Sequence, residues 1–275
     1  MAIRISKPTG NARRQISFVK FEIDKEKPEK SLMYGKRRIS GRNNYGRITV
    51  RNRGGGSKRL YREVDFSQFS VSGKTAKVLS IQYDPNRSAH IALVQYEDGL
   101  KSYILAPEKL KSGMNIICSE KTAIKIGNRM KLKNIPPSSE VCNIELSRQF
   151  GGQIARSAGS RATLLGVDGN FAQIRMPSGE VRRVSCECYA TIGNASNQDH
   201  SKEAIGKAGR KRSFGRRPHV RGKAKNPVDH PHGGGEGGTS IGMPHPKTPW
   251  GMPALGHKTR RRKNKSSKLI LQKRK

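Results

Sequence analysis

Short runs that alternate between apolar and polar residues occupy the middle of the chain and predict β-strands. The runs at 78–83, 90–96, 101–106 and 115–118 are rich in β-branched residues, and turn residues such as Glu97-Asp98-Gly99 separate them. Strands this short at such regular spacing are typical of a small closed barrel.

A second group of alternating runs predicts another small β-domain. Residues 162–167 and 171–176 flank the turn Asp168-Gly169-Asn170, and a second turn at 177–180 leads into another strand. These turns predict a three-stranded meander. Each group holds roughly 60 residues and would be marginally stable alone, so mutual packing or a bound partner should support it.

The alternation stops on both sides of these groups, where the chain becomes strongly basic. Residues 1–60 carry 17 lysines and arginines against 4 acidic residues, and residues 201–275 carry 21 against 3. Extensions of this charge repel themselves and need a counter-charge to become ordered. We therefore expect a mainly β protein, with two small tandem β-barrels flanked by long basic irregular extensions. The expected divisions fall at 1–60, 61–130, 131–197 and 198–275.

The composition points to a polyanionic partner. The formal net charge is +36 and the sequence pI is about 10.7. Nucleic acid is the leading candidate, because neutralised phosphates release counterions and supply much of the binding free energy. A membrane is disfavoured, since no apolar run approaches the ~18–20 residues that span a bilayer. Aromatic residues make up only 5% of the chain, so base stacking is not expected to be the main source of affinity.

Glycines and arginines alternate closely in two stretches of the N-terminal extension, 41–47 and 51–59. Glycine lets the backbone lie against another surface, and arginine pairs with phosphate. A flexible linker is the alternative interpretation, although linkers favour glycine and serine without so many cations.

Two further loops are candidate contacts with an RNA backbone. One is the glycine-rich loop 151–159 around Arg156, which lacks the spacing of a nucleotide-binding loop. The other is the turn 83–87, which Asp84-Pro85 is expected to set and from which Arg87 is free to reach outward. An ordinary hairpin loop is the alternative interpretation of this turn.

The run from Asn226 to Gly237 holds Asp229, His230 and His232 among prolines and glycines. Three interpretations of it remain open. The histidines could ligate a metal in a metal-dependent hydrolase, His230 could act as a general acid or base, or the run could make structural contacts with RNA. Metal sites usually place their ligands on rigid elements, and no third ligand cluster stands out, so we expect no protein-held metal. A protein that compacts DNA without sequence preference is a further alternative.

The four cysteines are not expected to carry chemistry. Cys186 and Cys188 are spaced too closely for a zinc knuckle of the CxxC type, and Cys118 and Cys142 lie in strand-like runs. Reduced, buried thiols in a reducing compartment fit this pattern.

Several of these stretches together resemble one family, the universal large-subunit ribosomal protein "L-two". The matching residues are Gly41-Arg42-Asn43-Asn44, Arg53 to Gly56, Tyr83 to Ala89, Tyr103 to Pro107, Gly151 to Gly159, Asn226 to Gly237 and Thr248-Pro249-Trp250-Gly251. The resemblance runs from about residue 30 to the end of the chain. Ser57 and Gly238 depart from the residues expected there.

The resemblance implies an OB-type RNA-binding barrel followed by an SH3-like barrel, with extensions threaded into ribosomal RNA. The implied partners are large-subunit rRNA, other ribosomal proteins and the small subunit across the subunit interface, with neither a membrane nor a small-molecule substrate. No cofactor is expected beyond Mg²⁺ held by the rRNA itself. His230 matches a family histidine linked to full peptidyl-transferase activity, with Asp229 and His232 beside it, which implies support of an RNA-catalysed centre and not an enzyme. The candidate rRNA-binding residues are Arg42, Arg47, Arg51, Arg53, Gly54, Gly55, Lys58, Arg59, Arg62, Arg87, Arg156, Arg182, Arg216, Arg217, Arg221, Gly233, Gly234, Gly235, Arg260, Arg261 and Arg262.

Two stretches of the chain resemble the plastid members of this family in particular. Met33-Tyr34-Gly35 and the stretch from Trp250 to Gly256 look like plastid members of the family. The N-terminus has no apolar signal region and no presequence pattern, which suits synthesis where the protein works. The expected location is the ribosome of the plastid stroma, with the bacterial cytoplasm as the alternative.

Overall fold

The structure, a computed structural model, describes residues 3–19, 23–24, 26–37, 40–261 and 263–274. The fold is mainly β, as the sequence predicted. The chain divides into two compact units. The first comprises Met1–Arg37, Lys58–Arg210 and Lys268–Lys275, and the second comprises Arg38–Ser57 and Lys211–Ser267.

The N-terminal part of the first unit is less irregular than the sequence predicted. Its short elements are β1 (Ile3–Ile5), α1 (Asn11–Arg14), β2 (Ser17–Val19), a 3-10 turn (Lys30–Leu32), β3 (Met33–Gly35) and β4 (Leu60–Arg62). β1 pairs antiparallel with β2, and β3 pairs antiparallel with β4. Strands of three residues show too little alternation to stand out from a basic background, because a strand is recognised from a period of two over at least four residues.

The first barrel is built on a four-stranded antiparallel sheet. Its strands are β5 (Thr75–Gln82), β6 (Ile91–Tyr96), β7 (Lys101–Leu105) and β8 (Asn115–Ile117), in the order β7-β6-β5-β8. A register shift between Val78 and Ser80 bends β5, as strands that curve around a barrel require. The inward-facing residues, among them Val94 and Ile104, form one apolar core.

The second barrel contains the predicted three-stranded meander. Its strands are β9 (Arg129–Lys131), β10 (Glu140–Cys142), β11 (Ile144–Glu145), β12 (Gly152–Ile154), β13 (Ala162–Asp168), β14 (Phe171–Arg175), β15 (Val181–Ser185) and β16 (Tyr189–Ile192), with a 3-10 turn at Leu132–Asn134. β13, β14 and β15 are consecutive antiparallel neighbours, which confirms the meander. β9 spans residues on both sides of the division expected at residue 130, and it pairs with β16.

The C-terminal extension also contains regular elements. They are 3-10 turns at Gln198–Lys202, Gly222–Ala224 and Lys265–Leu269, the helix α2 (Ala208–Ser213) and the strand β17 (Ile270–Gln272). β17 pairs with β15 at the edge of the seven-stranded sheet, in the order β17-β15-β14-β13-β10-β16-β9. The sequence did not predict β17 within this extension. The apolar pair Ile270-Leu271 is too short a signal to predict a strand inside a basic tail.

Among the described residues, no helix combines the length and the apolar character needed to cross a bilayer.

Candidate nucleic-acid interface

A cleft of about 1010 Å³ lies in the first unit and is lined by residues of both barrels. Tyr61, Phe66 and Arg87 contribute from the first barrel and its approach, and Arg156 contributes from the second. Glu180 adds a carboxylate to the lining. Two of the predicted site residues, Arg87 and Arg156, are thus brought to one place although they are far apart in sequence.

The two arginines converge on the ring of Phe66. The guanidinium carbon Cζ of Arg156 lies 4.4 Å from the ring centroid, and that of Arg87 lies 5.5 Å from it. A cation over an aromatic face is attracted by the ring's quadrupole, which holds the guanidinium in place. Nη1 of Arg156 also donates a 2.9 Å hydrogen bond to the carbonyl of Gly152, a neutral partner that leaves its charge uncompensated. The cleft therefore presents cations from a fixed platform.

Asp84 orients the arginines on the first barrel's side of the cleft. One oxygen of its fully buried carboxylate accepts a 2.6 Å hydrogen bond from Nε of Arg87, and Nη1 of Arg62 lies 3.4 Å from the other. The N–H of Asn86 also donates to this carboxylate, at 3.0 Å, so Asp84 sets the turn as predicted. The prediction that Arg87 is free to reach outward was wrong, because its side chain is half-buried and paired with Asp84.

Three other residues of the first unit that were predicted to bind rRNA are not among the residues that line the cleft. Lys58 is exposed, and Nη1 of Arg59 donates a hydrogen bond to the carbonyl of Pro85. Arg182 is half-buried on β15, with Ile174 and Ile270 as its register partners on the neighbouring strands. Their contact with RNA stays a prediction.

In the second unit, two basic segments that are far apart in sequence run side by side. Arg53 and Arg216 form an antiparallel bridge, and the N–H of Gly54 donates a 3.0 Å hydrogen bond to the carbonyl of Gly215. Like charges placed opposite one another on paired strands destabilise the pairing. An anion beside this pairing would relieve the repulsion, so the arrangement fits a polyanionic partner.

The other predicted cations of this unit are spread over its exposed surface. Arg42 forms a bridge with Ile48, and the side chain of Asn43 accepts a 3.0 Å hydrogen bond from the N–H of Arg47, which closes a tight turn. Nη2 of Arg260 donates to Oγ of Ser266 at 2.7 Å. Further exposed residues are Arg51, Gly55, Arg217, Arg221 and Arg261, whereas Arg262 lies outside the described residues.

His230 and His232 contact each other and are each held by a backbone amide. The N–H of His232 donates to Nδ1 of His230 at 3.0 Å, and the N–H of Lys247 donates to Nε2 of His232 at 2.8 Å. The ring centroids lie 4.8 Å apart. Because a ring nitrogen that accepts a hydrogen bond carries no proton, a neutral His230 bears its proton on Nε2 and a neutral His232 on Nδ1. Asp229, next in the chain, is exposed.

Burial lowers the pKa of His230, and the neighbouring His232, Lys225 and Arg51 lower it further. His230 is therefore held as a neutral imidazole whose Nε2–H can donate a hydrogen bond. The ring packs against the backbone of Gly222, where a Cβ would lie 2.5 Å from Cε1 of His230. Only glycine at position 222 leaves room for this imidazole.

The three consecutive glycines are constrained by their own loop. A Cβ on Gly233 would lie 2.2 Å from the carbonyl oxygen of Asn226, and the N–H of Gly234 donates to the carbonyl of Lys225 at 2.9 Å. The sequence predicted that these glycines, with the exposed Gly235, let the backbone approach RNA. That contact stays a prediction, and the structure adds a second reason for glycine, which is packing within the loop.

Within the described part of the chain, no group of three or more His, Cys, Asp or Glu side chains is placed to hold a metal ion. His230 and His232 also each use one ring nitrogen to accept a backbone hydrogen bond. Nothing in this arrangement favours the hydrolase alternative over contacts with RNA.

Two protein-family models match the chain. Residues 29–118 match the RNA-binding N-terminal domain of the ribosomal proteins L2, and residues 125–251 match their C-terminal domain. The chain belongs to the ribosomal protein L2 family. The two β-domains are accordingly the OB-type and SH3-like barrels of L2 proteins, in that order. As an L2 family member, the chain is a structural component of the large ribosomal subunit and binds rRNA and ribosomal proteins there.

Sequence reasoning missed residues that position the interface of this L2 family member. Phe66 carries both cleft arginines, and Gly222 makes room for His230. No short sequence motif marks Phe66 or Gly222, because the residues that each contacts lie 8 or more positions away along the chain. Its position near basic loops marks Phe66 as one of several candidate aromatic residues, but the sequence does not single it out.

Proposed function

We propose that the Arg87–Phe66–Arg156 cleft binds rRNA in this ribosomal protein, and that the basic segments also bind rRNA. The observation that carries the proposal is the convergence of one arginine from each barrel on a single aromatic ring. Guanidinium groups pair with phosphate in a bidentate way, so Arg156, which is fixed over Phe66 and bonded to a neutral carbonyl, can bind a backbone phosphate, while Asp84 holds Arg87 beside it. The cleft positions the rRNA, and the cations of the basic segments neutralise it so that RNA helices can pack closely.

We further propose that His230 supports the peptidyl-transferase region by positioning RNA and does not itself catalyse a reaction. Its Nδ1 is occupied by the N–H of His232, and its depressed pKa keeps the ring neutral. A neutral imidazole with its proton on Nε2 donates a hydrogen bond to a phosphate, ribose or base acceptor without adding charge. The protein would then contribute to activity through the shape of the RNA.

The basic surface is also proposed to help the small subunit associate, in a ribosome of the plastid stroma. Met33-Tyr34-Gly35 and the stretch from Trp250 to Gly256 support the plastid assignment. Fractionation of organelles from the source organism, followed by immunodetection of the protein, tests it. Detection only in a bacterial or cytosolic ribosome fraction would contradict this assignment.

Sedimentation at physiological salt tests the function itself. The native protein should run with the large-subunit particle and should leave it as the salt concentration rises, because counterion release drives binding. A protein that sediments free of large-subunit particles would rule the proposal out. Competition between ribosomal RNA and duplex DNA separates this function from DNA compaction, since preference for DNA would favour the latter.

A further inference from the structure

Trp250 is the only tryptophan in the chain, and the residue is 79% exposed. Tryptophan is highly buried on average in folded proteins, because its ring carries a large apolar surface. An indole kept in solvent is therefore unusual, and its surroundings indicate what covers it.

The backbone around Trp250 forms a small hairpin with the indole at its tip. The N–H of Thr248 donates to the carbonyl of Met252 at 2.7 Å, and the N–H of Gly251 donates to the carbonyl of Thr248 at 2.9 Å. Pro249 presets φ at the first corner of the turn, and Gly251 adopts a φ of 79° directly after Trp250. This turn places Trp250 at its corner, where the residue is exposed.

The base of the hairpin is anchored. Lys247 and Pro253 form an antiparallel bridge, and the N–H of Lys247 donates to Nε2 of His232. The N–H of Ala254 closes the base by donating to the carbonyl of Pro246 at 2.7 Å. The base of the hairpin is therefore fixed to His232, and it holds Trp250 in place.

The environment of the indole is cationic. Cζ of Arg51 lies 5.4 Å from the centroid of the Trp250 ring, which steadies the ring by a cation–π contact. Asp229 and Glu236 are the only acidic residues in the sequence of this unit, which is otherwise rich in lysine and arginine. This charge attracts a polyanion. Among polyanions, a nucleic acid also offers flat π-faces that stack on an aromatic side chain.

We propose that Trp250 is a stacking site for an unpaired base of large-subunit RNA, an inference that rests on the proposed rRNA-binding function and extends it. Bases inside a duplex have both faces covered by their neighbours, so away from the duplex ends a base must be unpaired to lie on the indole. The surrounding cations bind any RNA backbone, and Trp250 adds a preference for single-stranded or looped-out nucleotides. The site would act as a selective anchor within a surface that binds otherwise by charge.

The fluorescence of the full chain tests this directly, because all tryptophan emission comes from Trp250. The protein is titrated with a short single-stranded oligoadenylate and with an RNA duplex of the same length, while anisotropy of labelled RNA records total binding. Single-stranded RNA should quench the emission and the duplex should bind with little quenching. Equal quenching by both RNAs, or binding of the single strand without quenching, would overturn the inference.

Substitution supplies an independent measurement. Trp250→Leu should weaken the binding of the single strand about tenfold while the affinity for the duplex stays unchanged, and Trp250→Phe should lose less because it keeps a ring. Val220→Ala is the matched control, since Val220 is 55% exposed in the same unit, lies outside the run from Asn226 to Gly237 and has no π-face. Circular dichroism verifies that each variant is folded.

Failure of the wild-type chain to bind either RNA would refute the proposed function itself. Intact binding by Trp250→Leu would refute only the stacking site.

Discussion

Arg129 and Glu145 form an ion pair that is almost completely shielded from water. Nη2 of Arg129 lies 2.8 Å from Oε1 of Glu145, with the side chains 0% and 2% exposed. Nη1 of Arg129 also donates to the carbonyl of Asn143 at 2.7 Å, and its Nε donates to the carbonyl of Ser67 at 3.2 Å. The N–H of Tyr189 donates to the other oxygen of Glu145 at 3.1 Å. The pair thus connects backbone segments from both barrels through one hydrogen-bond network.

Removing one member of this pair should destabilise the protein strongly. Glu145→Ala leaves a buried guanidinium without its counter-charge, and we expect a loss of about 3–5 kcal/mol in the free energy of unfolding. Urea denaturation of the full chain measures it. The control is Glu140→Ala, which removes the exposed partner of Arg161 and should cost less than about 1 kcal/mol. Similar costs for the two variants would show that the buried network contributes little.

Arg156 should contribute to RNA affinity through one phosphate contact. Arg156→Gln is expected to weaken rRNA binding and to flatten the log–log dependence of affinity on salt by about one unit at most. Arg161→Gln is the matched control, because Arg161 lies on the same domain and is paired with Glu140 at 3.0 Å. Filter binding over a series of salt concentrations gives both slopes. An unchanged slope for Arg156→Gln would place the RNA contact elsewhere.

Gly222→Ala should displace His230 without changing the chemistry of the imidazole. The added methyl group would lie 2.5 Å from Cε1 of the ring. We expect peptidyl transfer by reconstituted particles to fall about tenfold or more, since small misplacements are costly, while rRNA affinity is retained. Gly238→Ala is the control, because its Cβ would meet only Nζ of Lys223, at 3.8 Å. Equal loss of affinity and activity would contradict a positioning role for His230.

His90 should make the first unit sensitive to acid. Burial lowers the pKa of His90 to about 4, and His200 contributes to the shift. An unfolded histidine titrates near 6.5, so below that pH the unfolded chain binds a proton that the folded chain excludes. Stability from this group is complete above about pH 6.5 and is lost as the pH falls toward 4, by an amount on the order of 3 kcal/mol.

The comparison of two variants isolates the effect of His90. His90→Gln should flatten the dependence of the unfolding free energy on pH between 6.5 and 4, whereas the exposed His219→Gln should leave it unchanged. Denaturant titrations at a series of pH values give both curves. A curve for His90→Gln that is parallel to the wild-type curve would exclude His90 as the cause.

Several features of the fold were predictable because they depend on residues close together in sequence. The meander of β13, β14 and β15 followed from two turns and from alternation within each strand. β17 was missed, because its pairing with β15 joins residues about 90 positions apart and its apolar signal is two residues long. Arg87 was correctly placed on a turn, but its capture by Asp84 depends on how deeply that turn is buried.

The candidate site divides in the same way. The sequence alone determined that the chain would be two small β-domains between cationic extensions with a polyanionic partner, since strand periodicity, turn chemistry and charge are local properties. Only the tertiary structure decided that Arg87 and Arg156 share the ring of Phe66, that the N–H of Lys247 holds His232 in one tautomer, and that Trp250 stands beside Arg51. Those relationships require closing long loops to a particular register, and many side-chain packings compete for that closure. Packing in three dimensions selects one of these side-chain arrangements, and this selection produces no periodic pattern or motif in the sequence.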